Sequence, residues 1–485
     1  MNINQKGSSL GIILSCIGLG LFSDYLFFGK QYGISYPLFL LIVYGVFIYT
    51  FRGKMRFRGD FGSWLYLPII LLSPSFLLFS NTFFYAVNML VLPILFIMQT
   101  VLLTRAHQHR WHTPAFVKDL CKILFDALRN VVVPFFIIKN AFRSHLRSQT
   151  TTVLIKVLIG LALALPLLLI VTFLLSSADQ IFDHLLSQFP EWMRKIDLGN
   201  LPVRIIHGLF YFFAFFCYIW ALYKPRTRKQ KEVAEQGEIG HSFQIDGVIS
   251  ITILSVINLI YTIFTVIQIP YLIGKASSFL PPGVTYSEYA KQGFSQIVIV
   301  TIINLVVLLI FMLLVSQKQP RLYHGVKLFL SWLTICTIIM LCSAFFRLYM
   351  YENAYGFTLF RLLPHAFMIL LAIWLIIAFI KIWRKDFSLI RAYVIVVIAW
   401  YVILNYLNLD VIIAKTNIAR YETTGKIDVE YLGTLSYDVV PELNRIDKGK
   451  IKATVDSVLY RKYALTTGEK HCNRLTFLST APKNY

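Results

Sequence analysis

Acid is what this chain has least of. Asp and Glu number 24 against 46 Lys and Arg, and charged residues make up 14% of 485 positions while 57% are hydrophobic. A soluble domain of this length would need far more surface charge, so that class is excluded. Cysteine is scarce too. The six are scattered, with Cys16, Cys217, Cys336 and Cys342 inside apolar runs, which excludes a disulfide framework and reads as small buried hydrophobes. Also missing are HExxH, GxxxxGK[ST], G-x-S-x-G and a dinucleotide-binding glycine pattern, which removes zincin, ATPase, hydrolase and nicotinamide readings. The basic excess, a formal +22, is parcelled into short loops without folded bulk behind them, so no nucleic-acid module is expected.

What is present is apolar length. Runs of about 20 hydrophobic residues, each enough to cross the ~30 Å hydrocarbon layer, recur along the chain. They are Leu10–Gly29, Ile34–Phe51, Phe61–Phe79, Phe83–Leu103, Leu154–Leu175, Leu201–Tyr223, Gly247–Ile273, Ile297–Val315, Val326–Phe346, Leu362–Trp383 and Tyr393–Leu407. The first has no small-residue cleavage site after it and reads as a retained span. The fold class is an all-α integral membrane protein with about eleven transmembrane helices.

The basic clusters Arg52–Arg58, Arg105–Arg147, Lys224–Lys231, Lys318–Arg321 and Arg384–Lys385 all fall on one side of this alternation. That positive-inside pattern places the N-terminus in the cytoplasm and the C-terminal region outside, with anionic lipid headgroups as the partner of the basic loops. Four parts follow: a four-span region, 1–104; a basic segment, 105–153; a seven-span core, 154–407; and an extracytoplasmic helical region, 408–485. In the second part Val117, Leu120, Leu124 and Leu128 recur at helical spacing, so it is expected to lie in the membrane interface, bent at Pro134. In the last part Gly425 should break a helix, and Asp428 and Ser436 should cap two more, ahead of a third over Ile451–Tyr463.

The densest polar chemistry near a span is Phe345–Arg361, FFRLYMYENAYGFTLFR, expected as the loop between the ninth and tenth spans. Charges near the apolar layer are costly and are usually paired or functional. Those near outer span ends are Asp24, Asp179, Arg204, His207, Arg347, Glu352, Arg361, His365 and Asp410, of mixed sign, which positive-inside topology does not explain. They point to an outward polar chamber with Arg347, Tyr351, Glu352, Tyr355, Arg361, Asp179, Asp410 and Asn417 as ligand-binding candidates. The competing reading is plainer: interfacial residues reaching water, and salt bridges at helix ends. Arg347 and Tyr351 share a face if the helix continues, as do Arg361 and His365, and the two pairs together would clamp a phosphate or carboxylate. His107, His109 and His112 have no carboxylate or cysteine within a few residues to complete a ligand set, so they read as solvated interfacial residues. No metal and no cofactor is expected.

SSADQIF (Ser176–Phe182), RLYMYENAYGFTLFR (Arg347–Arg361) and NLDVIIAKTNIARY followed by GKIDVEYLGTLSYDVVPEL (Asn408–Leu443) together resemble a family of bacterial polytopic membrane proteins. That family is known as a domain of unknown function, of the 4173 or 4153 kind, and the likeness runs from about Leu154 to Leu443. It implies a multi-span plasma-membrane protein and no established activity, substrate or cofactor. Two functions stay open. One is a non-catalytic protein, transporter-like or an envelope sensor or scaffold, binding a small anionic or amphipathic ligand. The other is a polytopic enzyme on a lipid-linked or envelope substrate, with Asp24 or Glu352 as base and Arg347 and Arg361 holding phosphate. Few acids lie near the inner span ends, which lowers ion-coupled transport beneath simple binding.

Overall fold

The computed structural model describes residues 3–30, 32–53, 55, 60–104, 106, 109–143, isolated positions between 160 and 179, and 200–223, 244–272, 294–316, 319–384, 386–446 and 451–468. Among the described residues nine helices are long and apolar enough to cross a membrane, from Ser9–Phe27 to Leu389–Tyr406. A chain built of such helices is a multi-pass membrane protein. The expected second span is a helix of 16 residues, Ser35–Thr50, and the fifth, Leu154–Leu175, lies outside the described residues apart from isolated positions. The third is broken into Phe61–Trp64, Tyr66–Leu72 and Ser75–Leu78, with Pro74 opening the last piece. Among the described residues the only strand-like pairing is one isolated parallel bridge, Ile245 to Val315.

The chain divides into two units, Met1–Tyr66 with Pro93–Lys231, and Leu67–Leu92 with Glu232–Lys470. In the first, helix Ile3–Phe27 runs along helix Leu201–Tyr223. Their approach is so close that a Cβ on Gly20 would sit 2.6 Å from the Gly208 carbonyl oxygen, so only glycine fits. Phe27, Phe39, Tyr211 and Phe215 pack edge to face around that contact. Polar side chains within the unit pair across helices: Tyr44 donates to Gln99, and Tyr218 meets Thr100.

The basic segment of this unit forms two helices, Pro114–Leu128 and Val133–Arg143. Pro134 stands in the opening turn of the second, where a missing N–H is harmless. The expected bend is therefore a break between two helices.

In the second unit, helices Gly247–Leu272, Phe294–Leu314, Pro320–Tyr355 and Leu359–Trp383 enclose a core of Leu254, Leu308, Leu333, Leu371 and Leu375. Buried amides stitch these helices: Asn258 donates to the Phe329 carbonyl and Asn304 to Thr337. Such bonds hold helices together where apolar packing discriminates poorly.

A separate small core, Ile413, Leu432, Val439, Leu443, Val455 and Val458, joins helices Leu409–Thr424, Val429–Thr434, Val440–Leu443 and Lys452–Gly468. Gly425 ends the first of these in the left-handed region, and Asp428 caps the second by accepting from the Tyr431 N–H at 2.9 Å. Ser436 precedes the next turn without a side-chain cap.

The expected loop over Phe345–Arg361 is a helix for most of its length. Helix Pro320–Tyr355 runs for 36 residues, about 54 Å at ~1.5 Å per residue, and only Gly356–Thr358 turn the chain. Polarity alone does not end a helix. Arg347, Tyr351 and Glu352 continue it, and the first residue able to stop it is Gly356, at φ +90°.

Candidate functional site

The extended helix carries its polar residues into the protein. Glu352 and His365, thirteen apart in sequence, face each other across the turn, His365 Nε2 lying 2.9 Å from Glu352 Oε2. Their side chains are 1% and 7% exposed. With the carboxylate ionised, Nε2–H is the donor. Glu352 Oε1 and His365 Nδ1 are buried without hydrogen-bond partners, and Phe345 packs edge-on against the imidazole, centroids 4.2 Å apart. An ionisable pair this deep on two candidate spans is costly to keep charged.

One turn earlier, Arg347 is also buried. Its Nη2 donates to Gln268 Oε1, which also accepts from Ser343 Oγ at 2.8 Å. Arg361 turns back onto the hairpin, donating to the Gly356 carbonyl and lying 4.6 Å over the Tyr351 ring. Tyr351 in turn packs at a tilt against Tyr355, which is exposed.

The tail helices grip this turn. Asn417, itself buried, accepts from the Phe357 N–H and donates to the Phe357 carbonyl, at 2.9 and 2.8 Å. Arg420 donates to the carbonyls of Asn353 and Ala354 at 2.7 and 2.6 Å, closing the end of the long helix. A Cβ on Gly356 would stand 2.9 Å from Asn417 Oδ1, so the clamp and the glycine require each other. The Tyr431 hydroxyl accepts from the Leu359 N–H. Burial raises that phenol above its ordinary range; the Leu359 bond and the Arg361 charge oppose this, and the charges of Asp410 and Asp428 add to it.

Asp410 belongs to a second polar group on the tail. Its Oδ2 accepts from the Ser436 N–H at 3.1 Å, while Asp410 Oδ1 and Ser436 Oγ are buried without partners. Nearby Asp438 accepts from the Ser80 N–H and hydroxyl and from Asn408 Nδ2. Lys462 donates to the Leu435 carbonyl at 2.6 Å and lies over the Tyr437 ring. Burial pulls the Lys462 ammonium down to about 8, against the opposite pull of Asp410 and Asp438.

Seven of the eight candidates thus lie in one unit, and Asp179, exposed, lies in the other. Arg347, Tyr351, Glu352, Tyr355 and Arg361 gather along one helix end and its turn, Asn417 closes that turn, and Asp410 anchors the tail. The clamp imagined between Arg347 and Arg361 takes another form: Arg347 is taken up by Gln268, and His365 by Glu352. Asp24, a base in the enzyme reading, is bound in the first unit by Arg204 at 2.6 Å.

The sequence reading passed over Lys462 and Ser343. Lys462 was legible: it stands four after Val458 and seven after Val455, on the stripe that the helix buries. Among the histidines, His109 meets Asp119, ten positions on, through its backbone N–H and Nδ1 at 2.9 and 3.2 Å.

A family model described as Domain of unknown function (DUF4153) matches residues 66–446, which takes in every residue of the hairpin site and the tail as far as Ile446. No curated protein and no solved structure matches the chain. With most of its length under that model, and the motifs of the hairpin and tail inside it, the chain belongs to the DUF4153 family, a domain of unknown function.

Proposed function

We propose that this chain is a bacterial plasma-membrane sensor or scaffold whose Glu352–His365 centre binds a small anionic or amphipathic ligand, the tail helices acting as its latch on the outer face. The observation that carries this is the buried pair itself. An ionisable pair held between two spans, with one oxygen of Glu352 and one nitrogen of His365 left unpartnered, is expensive to maintain for stability alone. Asn417 and Arg420 hold the turn above it, so a ligand reaching Glu352 must loosen those bonds, and binding is thereby coupled to the position of the tail.

Catalysis receives less support, since Asp24, one of its two candidate bases, is engaged by Arg204. The topology that belongs to this reading is the positive-inside one, with about eleven spans and an extracytoplasmic tail. The test is envelope-stress and growth phenotyping of Glu352→Gln, Arg347→Ala and Asp410→Ala at matched membrane abundance. The reading expects Glu352→Gln to lose function while accumulating normally. Full activity in all three variants ends it.

A further inference from the structure

Helix Pro114–Leu128 has three faces, and among the described residues one of them is packed on protein. At about 100° per residue, Phe116, Asp119, Ile123 and Ala127 fall together and are buried, and the helix packs on the span Leu201–Tyr223. Roughly a third of a turn away come Val117, Leu124, Phe125 and Leu128, of which Phe125 and Leu128 are 66% and 68% exposed. Further round come Lys118, Lys122 and Arg129, all exposed. The stripe expected from the sequence, Val117, Leu120, Leu124 and Leu128, is this second face with half-buried Leu120 at its edge.

An apolar strip that large has no reason to face water, and the helix is too short and too charged to span. It begins after residues 104–113, directly behind the candidate span Thr82–Leu103, and is pinned by its buried face to a second candidate span. Its position is therefore tied to the edge of the bilayer. The basic side chains are complementary to anionic headgroups. Lys118, Lys122 and Arg129 line an open depression with Val117, Cys121, Phe125 and Asp126, whose Oδ1 stands 3.9 Å from Arg129 Nη1 and leaves three cations against one carboxylate.

We infer that helix Pro114–Leu128 lies in the plane of the membrane interface, its Val117–Leu128 strip in the acyl chains and its Lys118, Lys122 and Arg129 side chains on anionic phospholipid headgroups. This stands independently of the ligand reading above. At about fivefold per basic residue, neutralising all three lowers affinity for an anionic lipid on the order of a hundredfold.

The test uses the full chain with its six cysteines replaced and a spin label placed in turn at Phe125, Leu128 and Lys122. It is reconstituted in phosphatidylcholine vesicles containing one quarter phosphatidylglycerol. Labels at Phe125 and Leu128 should collide with oxygen more than with a water-soluble nickel chelate, and the label at Lys122 should do the reverse. Equal aqueous exposure at all three positions overturns the inference. In a second arm, native protein and the triple variant Lys118→Gln, Lys122→Gln, Arg129→Gln are compared for co-purified phosphatidylglycerol and for the thermal midpoint with added phosphatidylglycerol. Native protein should retain and respond to the lipid, and the variant should lose most of both. Equal retention by the two proteins overturns the headgroup contact, as does a shift of the same size with inorganic phosphate alone.

Discussion

Two ion pairs, each within its own unit, show what burial does to the same chemistry. Asp24 and Arg204 meet at 2.6 Å, but the guanidinium is 51% exposed and lies against the Phe28 ring. Glu352 and His365 meet at 2.9 Å with almost nothing exposed. In the first pair water competes for the cation at every moment, so the contact orients two helix ends and little more. In the second no solvent replaces a lost partner, and each group depends on the other and on the turn that seals them in. Proximity is equal, and dependence is not.

The largest effect that would sharpen this contrast is removal of one buried partner. Glu352→Ala should lower stability by about 3–5 kcal/mol, read as a fall in the thermal midpoint of the purified chain in detergent. Adding His365→Ala should cost less than the sum of the single changes, because the pair acts as a unit. A midpoint for Glu352→Ala no lower than that of Arg204→Gln would break the comparison outright.

Next in size is the clamp. Asn417→Ala leaves the Phe357 N–H and carbonyl without their partners, which should cost about 1–3 kcal/mol. Amide exchange over residues 353–358 should quicken without disturbing the core around Leu333. Unchanged exchange there would mean that the turn holds without the tail.

Lys462 is the intermediate case, a buried charge with opposite charges nearby. Its folded value of about 8 lies below its ordinary 10.5, so between those values the unfolded chain binds more protons. Stability should therefore rise with pH across that window, by at most about 1.4 kcal/mol per pH unit. Below pH 8 the lysine is charged in both states and its contribution is flat. Subtracting the thermal profile of Lys462→Met isolates this slope. Parallel profiles from pH 7.5 to 9.5 would show that the ammonium is solvated after all.

The smallest effect is expected for Arg204→Gln, a midpoint change close to the error of measurement, larger in low salt than in high.

Much of this was legible in advance. The spans Leu201–Tyr223 and Leu362–Trp383 and the break at Gly425 were readable because apolar length and glycine act locally. The polar run after Phe346 reads as a loop by its polarity, yet the helix continues because nothing before Gly356 breaks it. The polar residues of Phe345–Arg361 do lie together at one hairpin, but their partners could not be read from the sequence. Gln268 is 79 positions from Arg347, and Asn417 is 60 from Phe357.

Hydrophobic length and the parcelling of lysine and arginine are properties of consecutive residues. The sequence alone therefore determined that this is a multi-pass membrane protein and which stretches form its long apolar helices. Which buried carboxylate meets which imidazole, which asparagine seals the turn, and which face of Pro114–Leu128 packs on the span Leu201–Tyr223 depend on distances between segments far apart in the chain. Those were decided only when the helices packed, because a buried polar group takes whatever partner the packing brings within about 3 Å.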